Sequence, residues 1–476
     1  MSSSPVETDY LVIGAGATAM AFVDTLLDES DASVVMVDRH DRPGGHWNDA
    51  YPFVRLHQPS GFYGVNSRRL GSGAKDAVGF NRGLYELASG AEVLDYFEQV
   101  MNQRFLPSGR VHYFPMCNYE AGPGGEHRFT SFVSRETRGV KVRRKVVDAT
   151  HARTAVPSTH PPKYAVAPGV RCVPVNELPK AAHAHGHYVV VGSGKTGIDA
   201  CLWLLKNGAG PSQIRWIMPR DAWFMDRANV QPGQDFLERY MGSLVAQFEC
   251  IIEATSIPDL FKRLEAKGQL LRFDTSVEPT VYRCATVTQA ELRELRRIES
   301  VVRLGRIKKI EPTRIVLERG SVETEPDCLF IDCSANGIPA PPPMPVFDGN
   351  VINLLLLRTC QPVLSAAVIA YVESHLDDAA EKNALCQVVP HPALPTDWIR
   401  MWAVTLSNRQ RWGKHEDLMK WLGRSRLDNL STILAVKPTD TSKQAVLQRY
   451  GERVRPAVAK LPQLLAAITR PAQGAA

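Results

Sequence analysis

Two short glycine runs carry the residue types best suited to holding a diphosphate, and each follows an apolar run that reads as a buried strand. In the first, Tyr10-Leu11-Val12-Ile13 leads into Gly14-Ala15-Gly16-Ala17-Thr18-Ala19, and Met20, Val23 and Leu27 then recur at helical spacing. Gly14 permits the tight turn, Gly16 lets the backbone approach a pyrophosphate, and Ala17 and Ala19 start a helix that packs closely on the strand. The first amides of such a helix have no partner within it and favour an anion. A second apolar run, 33–37, ends at Asp38-Arg39. An acid about 20 residues past the glycines is placed to accept from ribose hydroxyls.

The second run is Gly192-Ser193-Gly194-Lys195-Thr196-Gly197, between Tyr188-Val189-Val190-Val191 and a helical stripe of Ile198, Cys201, Leu202 and Leu205. Its Gly-Lys-Thr invites a P-loop reading, but that motif needs glycine where this chain has Val189, so the spacing is of the dinucleotide type. The following strand ends at Pro219-Arg220-Asp221. A cation there accommodates the 2′-phosphate of NADP, whereas a carboxylate suits the free ribose of NAD. Arg220 makes NADPH the expected reductant; Asp221 leaves NADH open.

These two units must be positioned by a large α/β framework, and 476 residues are ample for one. A net charge of +6 is too mild to imply nucleic acid or a membrane surface. The basic stretch 141–145 reads as a solvated strand edge. Nine scattered cysteines without a CxxC fit a reducing cytoplasm and give no sign of a zinc ribbon or a local redox pair. No metal cluster is evident, the first eight residues lack a signal-peptide pattern, and no apolar run approaches the length of a spanning helix.

Beyond the first fingerprint stand Gly44-Gly45-His46-Trp47, Tyr51-Pro52-Phe53-Val54-Arg55 and Pro59-Ser60. With the two glycine runs, these motifs make the chain resemble the class B flavoprotein monooxygenases, the group of flavin-containing, Baeyer–Villiger and N-hydroxylating monooxygenases. The resemblance implies FAD on the first unit, with Gly45, His46 and Trp47 contacting it. It also implies that Arg55, His57 and Gln58 lie near the isoalloxazine as candidate catalytic residues, although Baeyer–Villiger members typically have aspartate at the position of His57. By the same similarity, the helix opening at Gln361-Pro362 directs its N-terminus at the flavin pyrimidine. The implied activity is NADPH-driven formation of a C4a-(hydro)peroxyflavin that oxygenates a small organic substrate with O2. A plain NAD(P)H-dependent flavin reductase or dehydrogenase, and a non-catalytic nucleotide-binding scaffold, are the alternatives.

The expected fold is two Rossmann-like dinucleotide-binding domains, the NAD(P) domain inserted in the FAD domain, with helical additions. The boundaries are 1–180 for the first part of the FAD domain and 181–325 for the NAD(P) domain, which holds a largely helical insertion at 227–303. Residues 326–380 complete the FAD domain and 381–476 form a helical tail. Domain crossings are expected at 157–184 and around Cys333-Ser334-Ala335-Asn336-Gly337. A helix is expected at 92–103 and a strand at 351–357.

Overall fold

Alternation of side chains along Val6–Ile13 builds the first layer. Tyr10 and Val12 enter one core while Leu11 enters another on the opposite face, so the strand is buried on both sides. The computed structural model describes residues 5–151, 155–181, 185–325, 327–335 and 343–469. In its first sheet, Val351–Asn353, Thr137–Asp148, Val6–Ile13, Val34–Val37 and Val111–Phe114 run parallel in that order. Phe347–Asp348 closes one edge, and the hairpin Cys117–Ala121 with His127–Ser131 folds back on Thr137–Asp148. Helices Ala17–Glu29 and Pro362–His375 pack together against this sheet. The second is apolar nearly all round, as a helix sunk in a core must be.

The second sheet is wholly parallel, in the order Cys172–Pro174, Cys328–Asp332, His187–Val191, Ile214–Ile217, Ser300–Val302. Helix Lys195–Lys206 covers one face. A small sheet of Gly320–Glu323, Arg314–Leu317, Ile307–Glu311 and Ala165–Val166 covers the other. The sheet thus takes two neighbouring strands at one end from outside 181–325, one before it and one after it. Of the expected second crossing, Asn336 and Gly337 lie outside the described residues, as does Ala184 at the end of the first.

Several local expectations need correction. The segment 227–303 holds the three helices Leu237–Glu253, Ile257–Ala266 and Gln289–Leu295, and with them the strands Leu270–Leu271 and Val281–Val287, which pair with Ala222–Asp226 just before the segment. Ser300–Val302 is an edge strand of the second sheet. The helix expected at 92–103 runs Gly90–Val100, started by a Ser89–Glu92 capping box, with a π-helical turn after it. The strand expected at 351–357 stops at Asn353, because Leu354–Leu357 turn away to line a cavity and meet the tail. The basic stretch lies in the strand Thr137–Asp148, paired on one side with Val6–Ile13 and open on the other between the pairings at 137–140 and 146–148; its exposed cations meet Glu7 and Asp9, and the half-buried Lys145 meets Glu373.

The tail is helical, and Trp398, Trp412 and Trp421 are buried in it. Helices Pro395–Trp412 and Thr441–Thr469 pack with the insertion to form a third core. Among the described residues, no helix is long and apolar enough to cross a membrane, and no His/Cys/Asp/Glu group could hold a metal ion. Cys284 and Cys360, 76 residues apart, form a disulfide with Cα atoms 6.3 Å apart. The missing CxxC excluded only a local pair; this one is made by the fold.

Candidate cofactor and active site

The two glycine turns are distinguished by what a side chain would meet. At Gly16, φ is −75° and an added Cβ would touch only the Cα of Gly45, at 3.7 Å. At Gly194, φ is −78° and nothing stands within 4 Å. The protein itself does not require glycine at either position; the space is open on the side a ligand would occupy. By contrast, a Cβ on Gly197 would fall 2.1 Å from the Gly192 carbonyl oxygen, and one on Gly45 would fall 2.9 Å from the Cα of Gly16. Those two glycines serve close packing. Neither helix N-terminus is capped by a side chain, so the first amides remain available on both. Ala19 is fully buried against the first sheet, and Ala17 packs at its edge.

Asp38 closes the first turn. Its Oδ2 accepts from the Ala15 amide at 2.5 Å, and its Oδ1 accepts from the His40 amide at 2.7 Å and contacts His40 Nδ1 at 3.0 Å. A carboxylate has about four acceptor positions, so one remains on Oδ2 for a ribose hydroxyl. His40 spans Asp38 and Asp49, and those hydrogen bonds, against the opposing effect of burial, raise its pKa to about 9. Nothing in the sequence singled it out. Arg39 is exposed and reaches over the Phe132 ring.

A cavity of about 320 Å³ opens beside the first turn. Its walls come from stretches distant in sequence, among them Thr18, Leu56 to Pro59 with Tyr63, Ala149 and His151, Arg283 and Cys284, Leu354 to Leu356 with Cys360 to Val363, and 388–392. Gln361 precedes helix Pro362–His375 and has its Oε1 buried without a hydrogen-bond partner among the described residues. An orphaned acceptor facing a cavity at a helix N-terminus is the condition of a polar ring that is to be bound there.

The structure brings His57, Gln58 and Gln361 together on this cavity but not Arg55, His46 or Trp47. Arg55 is exposed and donates to the Leu87 carbonyl at 2.8 Å. Alternation alone would put Arg55 and His57, two residues apart, on one face; the chain bends at His57 and Gln58, and the two side chains part there. His46 is exposed and stacked on Trp47. Trp47 lies in the core, and its indole N–H donates at 2.7 Å to the hydroxyl of Tyr63, itself on the cavity wall.

His57 is held from two sides. Its Nδ1 accepts from the Thr286 amide at 3.2 Å, which leaves Nε2 as the N–H donor, and its carbonyl accepts from Arg227 Nε at 2.9 Å. Burial, followed by the charges of Lys195 and Arg227, lowers its pKa to about 3, so the ring is neutral near pH 7. Arg227 is buried and paired with Glu291 at 2.9 Å.

The second turn is linked to this region through Lys195, whose charge acts on His57. Lys195 pairs with Asp199, which accepts from the Tyr51 hydroxyl at 2.5 Å, so Tyr51 ties the loop after the first unit to the second. Ser193 Oγ donates to the Arg220 carbonyl at 2.7 Å, while Thr196 stands in the first turn of the helix. Arg220 is exposed, with no hydrogen bond or ion pair from its guanidinium among the described residues. Burial and then the charge of Arg220 depress the pKa of Arg283, which places the two cations near one another. Asp221 is buried and bound by Arg303 Nε at 2.8 Å and Nη2 at 3.1 Å.

A second cavity, of about 350 Å³, is built by the insertion and the tail, with Met225, Tyr240, Tyr282, Trp398, Trp402 and Tyr450 in its walls. It meets the first at Gln58, Cys360 and Gln361, which line both. The tail also braces this border: Asn408 donates to the Leu357 carbonyl, and Thr359 bonds Thr405.

No protein-family model matches the chain. Over 465 residues it is 51% identical to the uncharacterized protein Rv2000 of Mycobacterium tuberculosis (strain H37Rv), covering 98% of this chain and 86% of that one. The uncharacterized protein Mb2023 of Mycobacterium bovis matches with the same figures. Among solved structures, two crystal forms of OTEMO in complex with FAD and NADP align over 78% of this chain and 84% and 85% of theirs. Their TM-scores are 0.52 and 0.51, at 14% identity. The likeness to these structures is one of fold.

Proposed function

We propose, from the premise that the chain belongs to the family of these mycobacterial proteins and has the fold of the class B flavoprotein monooxygenases, that it is an FAD-dependent, NADPH-consuming oxidoreductase that oxygenates a small organic molecule in the cytoplasm. FAD, when bound, supplies hydride acceptance and reaction with O2. One observation carries this reading: open space at Gly16 and Gly194, with Thr18 of the first turn lining a cavity that ends at a helix N-terminus and the orphaned Gln361 Oε1.

The chain's own residues then divide the work. The amides after Gly16 and Gly194 bind the two diphosphates, and Asp38 takes a ribose hydroxyl. The N-terminus of helix Pro362–His375 favours negative charge on the ring it faces by about 0.3–1 kcal/mol, up to ~2 when buried. Neutral His57 presents an Nε2–H donor and holds its proton there throughout the physiological range. Arg220, with Arg283 nearby, suits the 2′-phosphate of NADPH, and Arg303 withdraws Asp221 from the ribose. Gln58 and Gln361 line both cavities and would separate a ring held in the first from a substrate in the aromatic one. Arg55, turned outward, steadies the loop.

The test is a yellow holoenzyme whose colour NADPH bleaches and O2 restores, assayed with ¹⁸O2 and a panel of small apolar substrates. Label in a product supports oxygenation. Quantitative recovery of the electrons as peroxide with every substrate would reduce the reading to a flavin reductase, and protein that takes no FAD would end it.

A further inference from the structure

The disulfide Cys284–Cys360 stands in the wall of the cavity just assigned to the flavin ring, and both sulfur-bearing residues line it. Each partner is fixed to a residue of that site. Cys360 directly precedes Gln361 at the start of helix Pro362–His375. Cys284 is two residues from Thr286, whose amide donates to His57 and whose hydroxyl donates to the Cys284 carbonyl at 3.3 Å. Both cysteines have positive φ, 55° and 57°. A non-glycine residue is held there only where its surroundings impose it, and such residues cluster at functional sites. Seven other cysteines remain free, six of them buried, so the one bonded pair coincides with the one place where a redox ring would sit.

We propose that Cys284–Cys360 is a second two-electron centre in series with the flavin: NADPH, by way of FAD, reduces the bond to two thiols. The balance is NADPH + H⁺ + disulfide giving NADP⁺ + two thiols. The S–S bond breaks, two S–H bonds form, hydride from the nicotinamide supplies both electrons and one proton, and solvent supplies the other. Cys360 also lines the aromatic cavity, so the dithiol faces whatever is bound there. The inference rests on the FAD site proposed above.

The experiment uses the holoenzyme under anaerobic conditions. Alkylation in denaturant, read by peptide mass spectrometry, counts the free thiols before and after NADPH, while absorbance reports the flavin independently. Seven modified cysteines are expected before NADPH and all nine after it, the gain lying at Cys284 and Cys360. Full bleaching is expected to consume one more equivalent of NADPH per flavin than in the double variant Cys284→Ser/Cys360→Ser, since each two-electron centre takes one. Dithiothreitol opens the bond in a control without NADPH. Bleaching by a single equivalent with both cysteines still blocked would overturn the inference and leave the FAD site standing. Alkylation of both cysteines before any reductant would overturn it as well. Failure to bind FAD would remove the site and the inference together. Should the double variant not fold, the thiol count of the unaltered protein decides.

Discussion

Gly16→Ala is the substitution that most cleanly separates the needs of the fold from those of the cofactor. The backbone at Gly16 is extended, and an added methyl meets only one Cα, at an ordinary 3.7 Å. The empty protein therefore loses only the preference of a helix N-cap for glycine over alanine, about 0.5–1 kcal/mol. For a chain of this size, unfolding as one unit, that moves the midpoint of thermal unfolding by about 1 °C or less. The same methyl points into the space from which a diphosphate would accept the helix amides. Displacing one charge-assisted hydrogen bond costs about 1.5–3 kcal/mol, which weakens binding roughly 10- to 150-fold. FAD titration of the apoprotein by fluorescence, with a melt of the same sample, reads both quantities. Gly197→Ala is the contrasting case: its methyl would overlap the Gly192 oxygen at 2.1 Å, so the apoprotein itself should be destabilised. An FAD affinity for Gly16→Ala within twofold of the unaltered protein would refute the assignment of this turn to the diphosphate, as would a large loss of stability without ligand.

Arg220→Ala should lower the preference for NADPH over NADH by one to two orders of magnitude, about the worth of one charge-assisted bond; an unchanged ratio in flavin-reduction kinetics would leave Arg220 as surface charge. Asp221→Asn should leave that ratio alone, because the carboxylate is already spent on Arg303. Glu291→Gln strands the buried Arg227 and should cost about 3–5 kcal/mol, seen as a lower denaturant midpoint; a midpoint equal to that of the unaltered protein would show the charge is compensated elsewhere. The pKa of His57 falls from 6.5 to about 3 on folding, so the unfolded chain binds the extra proton in that interval. Its contribution to stability is complete above pH 6.5 and is lost as pH falls toward 3, and His57→Gln should flatten this acid limb in melts across pH 4–7. His40 has the opposite sign: its pKa is raised to about 9, and its contribution, present below pH 6.5, is lost as pH rises through 9.

The sequence by itself determined both glycine turns, the strands that lead into them and the helices that follow. Tight turns, close approaches and buried faces are set by residues within about 30 positions of one another, where spacing is informative. It also nominated His57, Gln58 and Gln361, which line one cavity, though through motif resemblance and not through any local pattern. Only tertiary structure decided which way the loop after Trp47 faces, turning His57 inward and Arg55 outward, since that depends on Thr286 and Arg227 more than 150 residues away. The same holds for the withdrawal of Asp221 by Arg303 and for the tail's place in the wall of the aromatic cavity. The disulfide is the extreme case. Nothing in the positions of nine cysteines along the chain favours pairing 284 with 360; a strand of the insertion and the loop before a core helix meet there because separate hydrophobic faces are buried against one another. Burial is non-directional in sequence, so the contacts it creates are not written in local spacing.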